Sequence, residues 1–367
     1  MTTDGSLRAG PPRTDARRAP RDVRWVRPFL GLAMVAYAAA GTAWFLGGAW
    51  YPFADGEGLA AHGDSVLADV SQRIGSVAVI SVAILGLVTL GITSLPRPGR
   101  IATVAAIAAS SIEFGLFALV VPDGRVLVAV AHVPILVIGL PFGWPGGGVT
   151  IGSQLPWPVV HQVILLGVGG AWLVLARDLV RRARGGCVHC GRATRETWTR
   201  PDRARAWGRW MVGAAVAVPV FYATTRLAWF VGVPLGVPRS FLEEEAASDP
   251  TIFAAGAFIA LLALGGAGLT LGLVQSWGER VPDWVPILGG RVVPPRAAIV
   301  PASAIALLLF SSGIGGLRVW LLGLHPVDSG WATTSPGVLL PFWGLALAGA
   351  TLAYHLRRRE RCSGCGR

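Results

Sequence analysis

Apolar residues come in runs of about 20 along this chain, separated by short polar segments rich in Arg or in acids. A helix of that length crosses a hydrocarbon core of ~30 Å, and lipid leaves the backbone no partner but itself. The pattern predicts spans near 28–50, 74–94, 101–121 and 158–180, then near 210–232, 251–275, 298–323 and 334–355. A ninth apolar run, 126–140, is too short to cross comfortably and contains His132 and Pro134. It lies between Pro122-Asp123-Gly124 and a Gly-rich stretch at 142–148.

Loop charge orients these spans. Residues 1–27 hold seven Arg against three Asp, residues 177–209 hold ten Arg against three acids, and residues 354–367 hold five Arg against one Glu. Arg-rich loops stay in the cytoplasm, so the N-terminus, the central loop and the C-terminus are expected there together. Residues 51–72 carry Asp55, Glu57, Asp64 and Asp69 without Arg, and 233–250 carry Glu243, Glu244, Glu245 and Asp249 against Arg239. Both read as external. Eight spans fit this map, with 126–140 re-entrant or lying on the outer face; a ninth crossing sets the basic central loop against the membrane potential. The expected fold is all-α: a polytopic bundle of about eight transmembrane helices in the plasma membrane, its Arg-rich flanks touching anionic lipid.

Composition narrows the class further. Of 367 residues 53% are hydrophobic and 14% charged, far below the roughly one quarter of a soluble domain, which excludes an ordinary soluble enzyme. All 32 basic residues are Arg, and Lys and Asn are absent, as expected of a high-GC, actinobacterial genome. The polar, Pro- and Arg-rich segment 1–27 reads as a disordered tail. The competing reading is a cleavable signal peptide ending in the small residues of 38–43.

The chain also repeats itself. Tyr37-Ala38 and Ala43-Trp44-Phe45-x-Gly47 recur 185 residues later as Tyr222-Ala223 and Ala228-Trp229-Phe230-x-Gly232, and Trp25 matches Trp210 at the same offset. Thr89-Leu90-Gly91 recurs as Thr270-Leu271-Gly272, and Leu155-Pro156 as Leu340-Pro341. This ordered series argues against cleavage near Ala43. It divides the chain into the tail 1–27, a first membrane repeat 28–192, a basic linker 193–209 and a second repeat 210–367. Two halves with even span numbers are parallel repeats about an axis along the membrane normal.

Each half ends in Arg residues and the same element, Cys187-Val188-His189-Cys190-Gly191-Arg192 and Cys362-Ser363-Gly364-Cys365-Gly366-Arg367, which together hold all four cysteines. A CxxC pair on a tight turn is one knuckle of a zinc site, and two knuckles supply the four tetrahedral ligands of a closed structural centre. The two hexapeptides resemble zinc-ribbon knuckles. Cys187, Cys190, Cys362 and Cys365 would then hold one zinc and staple the halves together. Thiol–disulfide exchange is the alternative chemistry, disfavoured by a reducing cytoplasm and by the lack of a thioredoxin-like context. His189, between two ligands, reads as a surface residue.

Ionisable residues at membrane depth are costly and mark function by default. Glu113 falls near the middle of the third span, Arg226 and Arg318 nearer the outer ends of theirs, and His161 and Gln162 just inside the fourth. Arg226 aligns with Gly41 in the other half, which permits a Glu113–Arg226 or Glu113–Arg318 pair between halves. The plain alternative is an inter-repeat ion pair or a snorkelling Arg. Arg177-Asp178 reads as a solvated interfacial pair.

No Ser–His–Asp spacing, HExxH or GxxxxGK[ST] is present, and neither Gly146-Gly147-Gly148 nor Glu243-Glu244-Glu245 forms a site by itself. The basic loop is explained by topology without nucleic acid. The phrases Leu227-Ala228-Trp229-Phe230-Val231-Gly232-Val233-Pro234-Leu235-Gly236, Thr270-Leu271-Gly272-Leu273-Val274 before Trp277-Gly278-Glu279, and Thr351-Leu352-Ala353-Tyr354 resemble a family of uncharacterised actinobacterial multi-pass membrane proteins, here with CxxCGR motifs. The resemblance implies a plasma-membrane location and no activity. Three functions follow in order: a non-enzymatic membrane protein stapled by zinc; a small-solute or ion transporter with a polar cavity near Glu113, Arg226 and His161; and a membrane thiol oxidoreductase using both CxxC pairs.

Overall fold

A computed structural model of the chain describes residues 21–53, 65–68, 70–139, 155–185, 187, 190, 197–287, 289–323, 330–359 and 362. The first half contains α1 (Arg21–Phe45), α2 (Gln72–Ser94), α3 (Arg100–Gly115) continuing as a π turn over Leu116–Val120, the short α4 (Arg125–Gly139) and α5 (Trp157–Ala183). The second contains α6 (Pro201–Phe230), the short α7 (Arg239–Ser248), α8 (Ile252–Leu271), α9 (Pro295–Leu321) and α10 (Trp331–Arg357). Among the described residues there is no strand, only an isolated bridge between Arg280 and Val292. Eight of these helices are long and apolar enough to cross a bilayer, and they coincide with the eight expected spans.

Local chemistry sets the helix limits. Pro201 and Pro295 stand in the first turns of α6 and α9, where a missing N–H costs nothing. At the other ends, Gly47 (φ +89°) closes α1 and Gly232 (φ +80°) closes α6 in a left-handed conformation that a side chain would strain. In both caps the glycine amide donates to the Trp carbonyl three residues back, Trp44 or Trp229, at 3.0 Å. The next amide reaches back five residues, to Ala43 at 2.9 Å or Ala228 at 2.8 Å. Between α7 and α8, the Thr251 amide and hydroxyl donate to Asp249 Oδ1, both at 2.8 Å, holding that carboxyl below the usual carboxylate range.

Two boundaries differ from expectation. Residues 21–27 form the first turns of α1, and Arg203, Arg205 and Arg209 form the first turns of α6. Arg tolerates helix well, so these basic flanks extend the spans. The tail ahead of Arg21 lies outside the described residues.

Helices α1, α2, α3 and α5 pack as one group around Leu30, Met34, Phe117, Leu165 and Trp172. Helices α6, α8, α9 and α10 pack as another around Val212, Ala215, Leu309, Leu347 and Tyr354. Within them α1 packs with α2 and α5 as α6 does with α8 and α10, and α3 with α5 as α9 with α10, whereas α2 also packs on α3 with no comparable contact between α8 and α9. The groups meet where α9 touches the π turn and α4. Over its 15 described residues α4 is about 22 Å long, short of a span. Its first turn is buried between α5 and α9: Val126 and Ala129 lie with Val159 against Leu166 and Leu308.

In lipid no hydrophobic force draws apolar helices together, so close approach through small residues takes its place. A Cβ on Gly313 of α9 would lie 2.2 Å from Pro341 Cδ and 2.5 Å from Pro341 N on α10. Gly316 faces Gly337 across the same seam, and Gly86 of α2 similarly admits Met34 and Trp172. At Gly265 of α8 an added Cβ meets nothing within 4 Å. Gly313→Val is expected to destabilise the protein by about 1–3 kcal/mol, whereas Gly265→Ala stabilises it by up to about 1 kcal/mol through helix propensity. Thermal unfolding of both variants in detergent distinguishes the two sites.

Candidate metal centre and buried polar groups

The ends of α5 and α10 bring the cysteines together. Cys187 and Cys190 follow α5, and Cys362 follows α10. Cys187 Sγ lies 3.9 Å from Cys362 Sγ, and all three sulfurs lie within 4.8 Å of one another. All three cysteines are half-buried. Tetrahedral zinc, with Zn–S near 2.3 Å, requires sulfurs about 3.8 Å apart, so the Cys187–Cys362 pair already has about that spacing. Cys365, the expected fourth ligand, and His189 lie outside the described residues.

A polar knot anchors α10 just ahead of Cys362. Arg357 donates to Glu279 Oε1 at 3.1 Å and to the Leu273 carbonyl, while Arg358 donates to the Val293 carbonyl at 2.8 Å and lies 3.7 Å from Glu279 Oε2. The Tyr354 hydroxyl donates to the Gly278 carbonyl at 2.8 Å. These bonds hold the segment between α8 and α9 against the end of α10. On α5, Asp178 is buried and pairs with Arg182 at 2.7 Å. That corrects the expected solvated Arg177–Asp178 pair, because adjacent helix residues diverge by about 100° while residues four apart share a face.

The opposite end of the bundle is aromatic. Gln72 at the start of α2 donates to the Trp44 and Gly48 carbonyls at the end of α1, and Trp157 at the start of α5 donates to the Trp50 carbonyl. His161, 3% exposed, has the rings of Phe53, Trp157, Tyr37 and Trp44 at 5.2, 5.7, 5.8 and 6.2 Å. Its Nε2 is 3.3 Å from the Tyr37 hydroxyl.

Beside it lies a network of which sequence reasoning singles out Gln162 but misses Asp123 and Arg125. Asp123 Oδ1 accepts from Gln162 Nε2 at 2.6 Å and from the Arg125 amide at 2.9 Å, and Asp123 Oδ2 pairs with the Arg125 guanidinium at 2.8 Å. All three residues are at most 3% exposed. In the sequence Asp123 stands only as part of the Pro122-Asp123-Gly124 boundary ahead of the ninth apolar run. An Asp two residues ahead of the first helical turn of an apolar run is also a capping signal, and that signal pointed here.

The charges expected to pair between halves have separate settings. Arg226 lies 4.1 Å from the Trp229 ring centre and 5.0 Å from that of Tyr222, and it donates to the Ala332 carbonyl at 3.4 Å. Arg318 donates to the Ser65 carbonyl at 3.2 Å. Glu113 is fully buried on the stripe of α3 that carries Ala106 and Ser110. Among the described residues neither of its carboxylate oxygens has a hydrogen-bond partner, and neither does Ser110 Oγ or Trp172 Nε1. Neither expected Glu113–Arg pair is formed among the described contacts, because Arg226 is held within its own half by aromatic faces and Arg318 reaches a loop carbonyl.

Comparison with protein-family models, curated proteins and solved structures returns no match to this chain.

Removing one member of a buried ion pair costs more than replacing both. Asp123→Ala is expected to lower stability by about 3 kcal/mol, and Asp123→Ala/Arg125→Met to recover at least half of that loss. A double-mutant cycle of unfolding midpoints in detergent measures the coupling.

Proposed function

We propose that this integral membrane protein consists of two parallel copies of a four-span unit, stapled on the cytoplasmic side by a structural zinc bound to Cys187, Cys190, Cys362 and Cys365, and that its role is non-enzymatic. The convergence of three sulfurs from positions up to 175 residues apart carries this reading. A closed four-sulfur centre is chemically inert and mechanically strong, and it contributes folding energy directly. The Arg residues around both CxxC elements would offset the charge of a zinc tetrathiolate and place this end in the cytoplasm beside anionic lipid of the plasma membrane. Exposed Trp25, Trp198 and Trp210 at the same end suit an interfacial belt.

Three structural correspondences support the duplication. The Ala-Trp-Phe-x-Gly segments end α1 and α6 in the same hydrogen-bonded cap. The recurring Thr-Leu-Gly segments each bury a threonine, Thr89 or Thr270, whose hydroxyl donates 2.8 Å to the carbonyl four residues back. Most helix pairings within the two groups also correspond, α2 on α3 being the exception.

Metal analysis of the purified full chain, beside a Cys187→Ser/Cys362→Ser variant, tests the clasp. One zinc per wild-type chain and none in the variant are expected. One zinc in both refutes the assignment, and a reversible disulfide without stoichiometric metal establishes the thiol oxidoreductase instead.

A second reading rests on Glu113. A buried carboxyl with no hydrogen-bond partner at membrane depth suits an ion or small-solute pathway. On this reading Glu113→Gln abolishes pH-gradient-driven dye flux in proteoliposomes while zinc content stays at wild type. Unchanged flux removes it.

A further inference from the structure

Beside the π turn, at the aromatic end, lies a cavity of about 130 Å³. Tyr37 of α1, Val79 and Val82 of α2, and Leu165 of α5 form its walls, with Leu116 and Phe117 of the π turn. Phe53, Val66 and Leu67 roof it. The lining is carbon except at Tyr37, whose hydroxyl is already engaged by His161. A cavity of this character stays dry, and one of about 150 Å³ accepts a molecule the size of benzene. It has room for roughly six carbon atoms and no polar group to hold water.

Its mouth identifies what enters. Ala78 is exposed, and Val79, Val82 and Leu116 are half-exposed, so the cavity opens between α2 and the π turn. Ala78 and Val82 stand six and ten residues into α2, about 9 and 15 Å along its axis. Outside the mouth at that depth lies hydrocarbon rather than water. We propose that this cavity binds the end of one hydrocarbon chain of a membrane lipid, entering laterally between α2 and α3.

Two features keep the space open and covered. The π turn closes with a Val121 amide to Leu116 carbonyl bond of 3.1 Å, and the wider turn repositions Leu116 and Phe117; such turns recur at functional sites. The roof is tied on both sides. Ser65 Oγ donates to the Val121 carbonyl at 2.8 Å, and Arg318 from the second half donates to the Ser65 carbonyl at 3.2 Å. Chain occupancy is thereby linked mechanically to the contact between the two halves, independently of any metal.

The test uses the full-length protein in phosphatidylcholine nanodiscs doped with phosphatidylcholine bearing a diazirine near the end of one acyl chain. Photolysis followed by peptide mass spectrometry is expected to label Leu67, Val82 and Leu116 about tenfold more than Ile84 and Val88, the ratio given by 1.4 kcal/mol of preference. Val82→Trp, which fills the cavity, removes that excess, while Val88→Trp on the exposed face of α2 leaves it. Ala78→Phe, which blocks the mouth, acts as Val82→Trp does and serves if that variant fails to fold. Equal labelling at both sets of positions, or an excess that survives Val82→Trp and Ala78→Phe, overturns the proposal. So does labelling of the cavity residues by a water-soluble carbene probe.

Discussion

A peptide group moved into hydrocarbon costs several kcal/mol unless its N–H and C=O are paired, so each of the eight long helices closes its own ladder before it meets a neighbour. Only the helix ends and the connections between them are left with polar groups to satisfy. Apart from Ser and Thr hydroxyls that donate back into their own helices, that is where side chains bond from one element to the next: Gln72 on the carbonyls that end α1, Asp123 on the amide that starts α4, Arg357 and Arg358 on carbonyls of the segment between α8 and α9. The interior is joined by shape. Gly313 against Pro341 and Gly86 against Met34 and Trp172 are contacts of dispersion, which fall off quickly with any added atom.

Against this arrangement Glu113 is the exception. It is fully buried on α3, and neither its carboxyl nor the neighbouring Ser110 hydroxyl has a hydrogen-bond partner among the described residues. A chain that pairs Asp123 and Glu279 with arginines elsewhere keeps such a group at a cost. Costs of this kind persist where a group does something besides hold the fold.

The spans were legible because length and apolarity alone decide whether a segment can cross, and α4 was legible as a misfit for the same reason. The cysteine site was legible in part, since a CxxC element names its own chemistry, and the convergence of Cys187, Cys190 and Cys362 follows once α5 and α10 end together. Pairings that depend on rotation about a helix axis were not legible. The spacing permits Arg226 or Arg318 to pair with Glu113, but the Arg226 guanidinium lies over Trp229, one turn along its own helix. Asp178 was matched with its sequence neighbour instead of with Arg182. Spacing gives depth in the bilayer; which face a residue turns toward comes from packing.

On the proposed duplication, the two aromatic boxes at one end of the bundle are copies that have diverged. Tyr37 and Trp44 occupy the places of Tyr222 and Trp229, all on the first helix of each half. In the first half the group between the rings is His161, delivered by α5; in the second it is Arg226, delivered by α6 itself at the position that Gly41 occupies in α1. The exchange has a steric reason. A Cβ at Gly41 would lie 2.9 Å from Ile80 and 3.3 Å from Val79 of α2, so no long side chain fits there while α1 and α2 pack this closely. In the second half a Cβ on Gly256 of α8 would meet the Arg226 stem at 3.9 Å, so the arginine passes α8 at a glycine. The close approach of α1 to α2 at Gly41 leaves the first half's aromatic box to be filled from α5, and the same α2 carries the mouth of the apolar cavity whose wall includes Tyr37.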